Sequence, residues 1–356
     1  MSDRVDPPMD PVKPAPGEPV LDRLPADTEL DELRAPDDTV LGAGQVGEEV
    51  VKCNRSGSCP LFARLDNRFG LCPHCPRACR RNRAVSRRMC CGSAAILSSM
   101  TDRRLITIPI SHYCEKARWA LDRAGVSYTE VSHLQGFHLI ASKWAGGKGT
   151  TPVLVTQDAG VLGESADVVA YADTHGPPEL GLYGDGPSDR EEIFALQRDF
   201  DEDLGPHGRL WMYHHLLDRP DLAKKYGCTG VPGWERRALP PLFGVMGHFI
   251  SRKLGVSPDA AVESEKRVDA TFDRVAERLG DGRPYLVGER FSAADLAFAA
   301  LAGAVLMPPQ WGIPLPSPDE LPPIAAAKVR ELREHPAGQF ALRMFAQERP
   351  VGQRSP

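Results

Sequence analysis

A hydroxyl and a thiol three residues apart, Ser111 and Cys114, stand where a short apolar run gives way to a helical pattern. Such a pair suits thiol chemistry. At a helix N-terminus the unpaired backbone N–H groups and the helix dipole favour negative charge, so a thiolate is stabilised there over a thiol. Tyr113 adds a second hydroxyl to the same turn. The elements that must hold these groups are legible on either side. Leu105, Ile106, Thr107 and Ile108 are strand formers, whereas Ala117, Leu121 and Ala124, with Trp119 and Ala120 beside them, recur at helical spacing with Lys116, Arg118 and Arg123 between. The pattern predicts a strand, a break at 111–114 and a helix to about residue 124.

Three stretches downstream join this unit. Gly149-Thr150-Thr151-Pro152-Val153-Leu154-Val155 reads as a loop entering a strand, and Gly163-Glu164-Ser165-Ala166-Asp167 as a turn opening a helix. Tyr285-Leu286-Val287-Gly288-Glu289-Arg290-Phe291-Ser292-Ala293-Ala294-Asp295 reads as the entry to a further helix. Taken together and in this order, over roughly residues 103–345, the four motifs resemble those of the glutathione S-transferase family. The resemblance implies an α/β thioredoxin-like domain followed by an all-α domain, with glutathione as co-substrate, a small electrophile as second substrate, and a homodimer. It further implies that a Ser, Tyr or Cys of the turn meets the glutathione sulfur. Thr151, a cis Pro152 and Val153 would offer backbone to the peptide, and Glu164 and Ser165 would hold its γ-glutamyl end.

Each of these residues also has a plainer role open to it. Ser111 can donate a hydrogen bond that stabilises the thiolate, and it is also a good helix cap. Because serine replaces the first cysteine of a glutaredoxin-like pair, a dithiol cycle is closed to this turn, which favours transferase over disulfide-reductase chemistry. Cys114 serves either as a small buried residue or, where exposed, as the site of a mixed disulfide in a glutathione-dependent oxidoreductase. Tyr113 is the alternative hydroxyl donor. Thr151-Pro152 is either a cis bond that presents the backbone strand-fashion or an ordinary strand-opening trans proline. Ser165 can cap a helix over 166–174 whose N–H groups receive a carboxylate, with Glu164 taking the ammonium. For the glycyl carboxylate the available cations are His138, Lys143 and Lys148. Ser292 and Asp295 form a cap pair with a folding role only. The stripe Arg209, Leu210, Trp211, Met212, Tyr213 and His214 suits a pocket facing Ser111 or plain core, and 216–237 reads as an added loop.

At 356 residues the chain predicts at least two folded units. The organisation read here is an extension at 1–99, a thioredoxin-like domain at 102–176, a linker, and an all-α domain at 188–349, with helices at 191–204, 239–254, 260–279, 292–306, 324–334 and 336–348. Residues 1–50 are acidic and proline-rich without an aromatic residue, a composition too poor in apolar surface to offset ordering entropy, so disorder is expected. Seven of the nine cysteines, Cys53 to Cys91, fall in a basic stretch whose only acid is Asp66, leaving Cys114 and Cys228 beyond it and excluding a disulfide framework there. Cys72 and Cys75 with Cys53, Cys59 and His74 could make a zinc site, but the irregular second couple argues for no metal. Met100 stands where a chain of the resembled kind would start, so the stretch before it also reads as an upstream extension outside the mature protein. A net charge of −5 gives no case for nucleic acid, and Phe62 and Phe69 alone could stack on bases in the basic stretch. The N-terminus lacks a secretory pattern, and the apolar run 296–307 is too short to span a bilayer, so a cytoplasmic protein is expected. Set against a transferase stands a binding or regulatory protein of the same fold without turnover.

Overall fold

The structure is a computed structural model and describes residues 103–184 and 186–350. The readings made for residues 1–99, disorder and the zinc ligands included, lie outside the described residues. Strand β1 (Arg104–Thr107) lies inside a four-stranded sheet of order β2-β1-β3-β4, with β2 (Thr129–Ser132), β3 (Val153–Val155) and β4 (Val161–Leu162). Leu105, Ile106 and Thr107 are all buried, because an interior strand covered on both faces takes a continuous apolar run rather than an alternating one. β1 and β2 are parallel, which requires a crossover, and helix α1 (His112–Arg123) supplies it. β3 runs antiparallel to β1, with Val153 opposite Ile106, and β4 antiparallel to β3. Helix α2 (Phe137–Trp144) links β2 to β3, and α3 (Ser165–His175) follows β4 and packs on α1. This is the expected thioredoxin-like arrangement.

An all-α half follows: α4 (Pro187–Asp199), α5 (Gly205–Leu216), α6 (Pro220–Tyr226), α7 (Gly233–Leu254), α8 (Pro258–Arg278), α9 (Ala293–Leu306), α10 (Pro323–Glu334) and α11 (Pro336–Gln347). Helix α9 is its axis. All 14 of its residues are buried, and its alanines and Gly303 let α1, α4, α5 and α11 pack closely around it. Ser292 and Asp295 form the expected capping box at its start.

Three departures from the sequence reading have physical causes. The helix expected to end at 204 continues: α4 passes through a π-helical turn, Phe200–Leu204, into α5. Gly205 and Pro206 look like breakers, but the turn there is π-helical, with Gly205 N–H donating to Phe200 O, and the Asp201 carbonyl that Pro206 cannot serve accepts the Tyr113 hydroxyl at 2.7 Å. The stretch 216–237, expected as a loop, contains α6 and the first turn of α7. Pro240 and Pro241 lie inside α7 and mimic its boundary, whereas the actual start is held by Glu235, which is fully buried, accepts the Leu134 N–H at 2.8 Å and lies 2.6 Å from His133 Nδ1. Helix α2 was not expected at all; it is short and begins after Gly136, whose φ of 95° suits only glycine.

Among the described residues no helix is long and apolar enough to cross a membrane, and no cluster of His, Cys, Asp or Glu is arranged to hold a metal.

The capping box makes a sharp test of the helical half. The Asp295 carboxylate accepts from Leu286 N at 2.7 Å, Ser292 N at 2.8 Å and Ser292 Oγ at 2.6 Å. Asp295→Ala leaves these donors unpaired in the core, so unfolding free energy should fall by about 2–4 kcal/mol. A thermal melt reads this directly; a midpoint within 1 °C or so of wild type would show that the cap does not anchor α9.

Candidate active site

The active turn is built on Ser111. It caps α1, its Oγ accepting the Cys114 N–H at 3.4 Å while its own N–H donates to Ile108 O at 3.1 Å. Capping uses an oxygen lone pair and leaves the hydroxyl proton free of the backbone, within reach of the Cys114 thiol. Ser111 is half-buried. The backbone before it is clamped by Arg118, a fully buried guanidinium that donates to Pro109 O at 3.1 Å, Ile108 O at 3.4 Å and Glu130 Oε1 at 2.8 Å. Burial alone would lower its pKa, but the Glu130 and Glu115 carboxylates more than offset this and hold it above the ordinary arginine value.

The other two residues of the turn face inward. Cys114 has no exposed surface, and its thiol lies within hydrogen-bonding reach of the Ser111 and Thr151 side chains and the Ile108 backbone. Burial pushes this thiol up despite Arg118 nearby, so it stays protonated. Tyr113 donates its hydroxyl proton to Asp201 O at 2.7 Å, and burial pushes its pKa well above the phenol range. That contact depends on Gly205, where a Cβ would sit 2.2 Å from Tyr113 Oη. Sequence reading missed two further members of the turn. His112 is buried and donates Nε2–H to Gly205 O at 3.0 Å, its imidazole held down at about 3 by burial and by Arg209. Asp201, in the π-helical turn, lies 2.5 Å from the buried Lys116 ammonium. Burial pulls Lys116 down and Asp201 up, and each opposes the other's shift. No sequence signal marks either residue, because both partners come from distant elements.

Around the turn, the Thr151-Pro152 bond is cis, and Pro152 and Val153 are buried. Ser165 does not cap α3. Glu164 occupies the cap position, without a side-chain cap bond, and Ser165 is the first helical residue. The exposed Glu164 carboxyl is raised by partial burial and by Asp167, while Lys148 and Lys116 act against the rise. Of the three cations considered, His138 is buried with its imidazole lowered to about 4 by burial and its Nδ1 accepting the Gly136 N–H, so it is neutral. Lys143 and Lys148 are exposed, and it is Lys148 that faces Glu164.

On the other side of the turn, Ile108 and Ile110 open into an apolar cavity of about 120 Å³ whose far walls are Met212 and Tyr213 of α5, Leu239 of α7 and Trp311 after α9. The predicted stripe thus divides. Met212 and Tyr213 line the cavity, whereas Trp211 turns away and donates to Glu265 Oε2 at 2.9 Å. The Tyr213 hydroxyl, pushed up to about 12 by burial, faces Arg209 and Cys114. The Arg209 guanidinium lies 5.9 Å from the Tyr113 ring centroid and has no carboxylate partner among the described residues.

A thioredoxin-like sheet whose first helix opens on a serine-bearing turn, backed by an all-α half, defines the glutathione-transferase class of fold. The family models bear this out: the glutathione S-transferase N-terminal domain matches residues 105–179 and the glutathione S-transferase C-terminal domain matches residues 258–326. The chain is a member of the glutathione S-transferase family. Its fold is similar to that of a glutathione S-transferase from Xanthobacter autotrophicus Py2, 18% identical, covering 69% of this chain and 93% of that one with a TM-score of 0.44. It is similar also to one from Methylobacterium radiotolerans JCM 2831 in complex with glutathione sulfonate, 19% identical, covering 71% and 97%, TM-score 0.41. A theta class enzyme from Xanthomonas axonopodis pv. citri with glutathione bound is 21% identical, covering 68% and 97%, TM-score 0.42. No curated protein matches the sequence.

The buried imidazoles give the fold an acid limit. His112 and His138 titrate at about 3 and about 4 when folded, against ~6.5 when unfolded. As pH falls, the unfolded chain therefore binds protons first, so the stability present above pH ~6.5 is lost on acidification toward the folded values. At pH 5 each residue should have cost on the order of 2 kcal/mol. Melts at pH 7.5 and 5 should show the loss, and His112→Gln, which keeps a side-chain N–H donor, should shrink it; an equal loss in that variant would remove His112 from the account.

Proposed function

We propose that this protein is a glutathione transferase in which Ser111 stabilises the glutathione thiolate for attack on a small electrophile. The observation that carries this reading is the position of Ser111. Its hydroxyl proton is not consumed by the cap and can turn from the neighbouring Cys114 thiol to a bound sulfur, it sits at the N-terminus of α1, and Ile108 and Ile110 just before it open onto an apolar cavity. Glutathione lies along Thr151 in strand fashion, with its ammonium on Glu164, its α-carboxylate at the N–H groups opening α3 and its glycyl carboxylate on Lys148. The α1 dipole and the unpaired Arg209 add positive potential at the sulfur. The thiolate lone pair forms a C–S bond as the leaving group departs with its bonding electrons; with a peroxide it forms an S–O bond as the O–O bond breaks and alkoxide leaves. Buried and protonated, Cys114 is packing in this scheme rather than a nucleophile, which argues against the oxidoreductase. Among the described residues both cysteines, Cys114 and Cys228, are unpaired, which suits a reducing cytoplasm.

Ser111→Ala should lower the conjugation rate by about ten- to a hundredfold, the worth of one charge-assisted hydrogen bond of roughly 1.5–3 kcal/mol, with a smaller effect on glutathione affinity. Cys114→Ala should leave turnover within about threefold of wild type. Collapse in Cys114→Ala alone would restore the oxidoreductase, and collapse in Tyr113→Phe alone would move the role to Tyr113.

Calorimetry tests the binding half separately. Glu164→Gln and Lys148→Met should each weaken glutathione several-fold. Undiminished affinity in both would remove these residues from the site, and normal affinity without turnover on any electrophile would identify a noncatalytic binding protein. Light scattering should report a homodimer of the 38.8 kDa chain.

A further inference from the structure

Two polar atoms of residues lining the apolar cavity are buried without a hydrogen-bond partner among the described residues: Trp311 Nε1 and Gln135 Oε1. A buried indole N–H or amide oxygen ordinarily finds a partner, since leaving one unmade forfeits the hydration it had in the unfolded chain. The only other such atom among the described residues, Arg123 Nε, is not in a cavity-lining residue. Trp311 is 6% exposed. The two residues come from different halves of the fold, Gln135 from the connection between β2 and α2 and Trp311 from the segment after α9, yet they converge on one space.

Both are held firmly. Gln135 follows Leu134, whose N–H donates to the buried Glu235 at 2.8 Å. Trp311 precedes Gly312, whose N–H donates to Glu115 Oε1 at 3.1 Å. The indole leans on Gly303, where a Cβ would sit 2.1 Å from Trp311 Cζ3, and stacks on Phe345 with ring centroids 5.9 Å apart. The indole is thereby fixed in place, and the backbone that carries Gln135 is anchored beside it. The remaining lining is aliphatic and aromatic, with the Tyr226 hydroxyl already donated to Glu320 Oε2 at 2.6 Å, the Tyr213 hydroxyl facing Arg209 and Cys114, and no charged side chain in the lining itself.

We propose that Trp311 and Gln135 are specificity-determining residues, and that the cavity takes a neutral, single-ring-sized apolar molecule carrying a hydrogen-bond acceptor for the Trp311 N–H and a donor for Gln135 Oε1. The size follows from the volume: an apolar cavity of roughly 150 Å³ holds benzene. Neutrality follows from the lining, which offers an ion no partner. Identifying this molecule as the electrophile rests on the transferase reading; its binding does not.

The test uses the full-length chain without glutathione and three kinds of probe: ethylbenzene, acetophenone and the hydroxyacetophenone isomers. In wild type, acetophenone should move one of the five tryptophan indole N–H proton resonances downfield, and ethylbenzene should not. Trp311→Phe should abolish that resonance and weaken acetophenone at least fivefold while leaving ethylbenzene within twofold. Gln135→Met should remove the advantage of the best hydroxyacetophenone over acetophenone, and because its side chain is replaced isosterically it reports even if Trp311→Phe fails to fold. An unmoved indole resonance, equal weakening of all probes, or no binding at millimolar concentration would overturn the proposal. Probe binding as expected with no glutathione affinity would leave the cavity assignment standing and defeat the transferase reading, and the converse would separate them the other way.

Discussion

The structure depends on charges buried along α1. Glu115, Lys116 and Arg118 are consecutive or nearly so, and none has exposed surface. A charge taken out of water must be paired and hydrogen-bonded, and removing one partner of a buried pair costs roughly 3–5 kcal/mol. Each of these three therefore dictates where a distant element goes. Lys116 fixes the π-helical turn through Asp201, and Arg118 fixes β2 through Glu130. Glu115 receives Arg349 Nε at 2.7 Å, which brings the chain beyond α11 back onto α1; there Arg349 also reaches Asp122, and Trp119 Nε1 donates to Glu348 O at 3.1 Å.

The same network places both halves of the candidate site. Arg118 draws in the carbonyls of Ile108 and Pro109, so the backbone entering the half-buried Ser111 is held in place. Glu115, one turn along the helix, reaches the Gly312 N–H and so positions the neighbouring Trp311 at the cavity wall. The Ser111 turn and the cavity are thus referenced to one helix, as the proposed transfer, whose two reactants must meet at bonding distance, would require. A π-helical turn at Phe200–Leu204 has a matching part. It carries Asp201 toward α1 on one face and, on the other, Asp203 toward Arg267 at 2.6 Å and Thr271 at 3.2 Å, joining α5 to α8.

The outer wall of the cavity is a separate construction. Leu134, Cys228, Val231 and Leu239 form a small apolar cluster of their own, with Phe243 and Met246 packed against it, so α7 rests on the loop after β2, while α6 keeps Leu222 and Tyr226 in the main core. Glu235 secures that contact by accepting from the loop backbone. Gln135 sits where the two meet, which is why a polar group from the thioredoxin-like half can face a cavity walled by helices.

Local sequence determined the elements that carry their own signal. The β-branched run of β1, the cap at Ser111, the periodicity of α1 and the Ser292–Asp295 box were all legible, because capping and periodicity act within a few residues. So were the positions in the chain of the turn, the Thr151-Pro152 pair and Glu164. Tertiary structure decided what those residues are free to do. Ser165 yields the cap to Glu164, Tyr113 is drawn to Asp201 by the room at Gly205, and Lys116 and Arg118, which the helical pattern places among polar separators, are interior. The continuation of α4 into α5 and the early start of α7 were hidden by glycine and proline, whose local preference is overridden when buried partners such as Glu235 hold the backbone in place. Nothing in the spacing of Gln135 and Trp311 links them. They meet because separate hydrogen bonds, to Glu235 and to Glu115, bring residues 176 positions apart to one cavity, and burial there removes the water that would otherwise satisfy them.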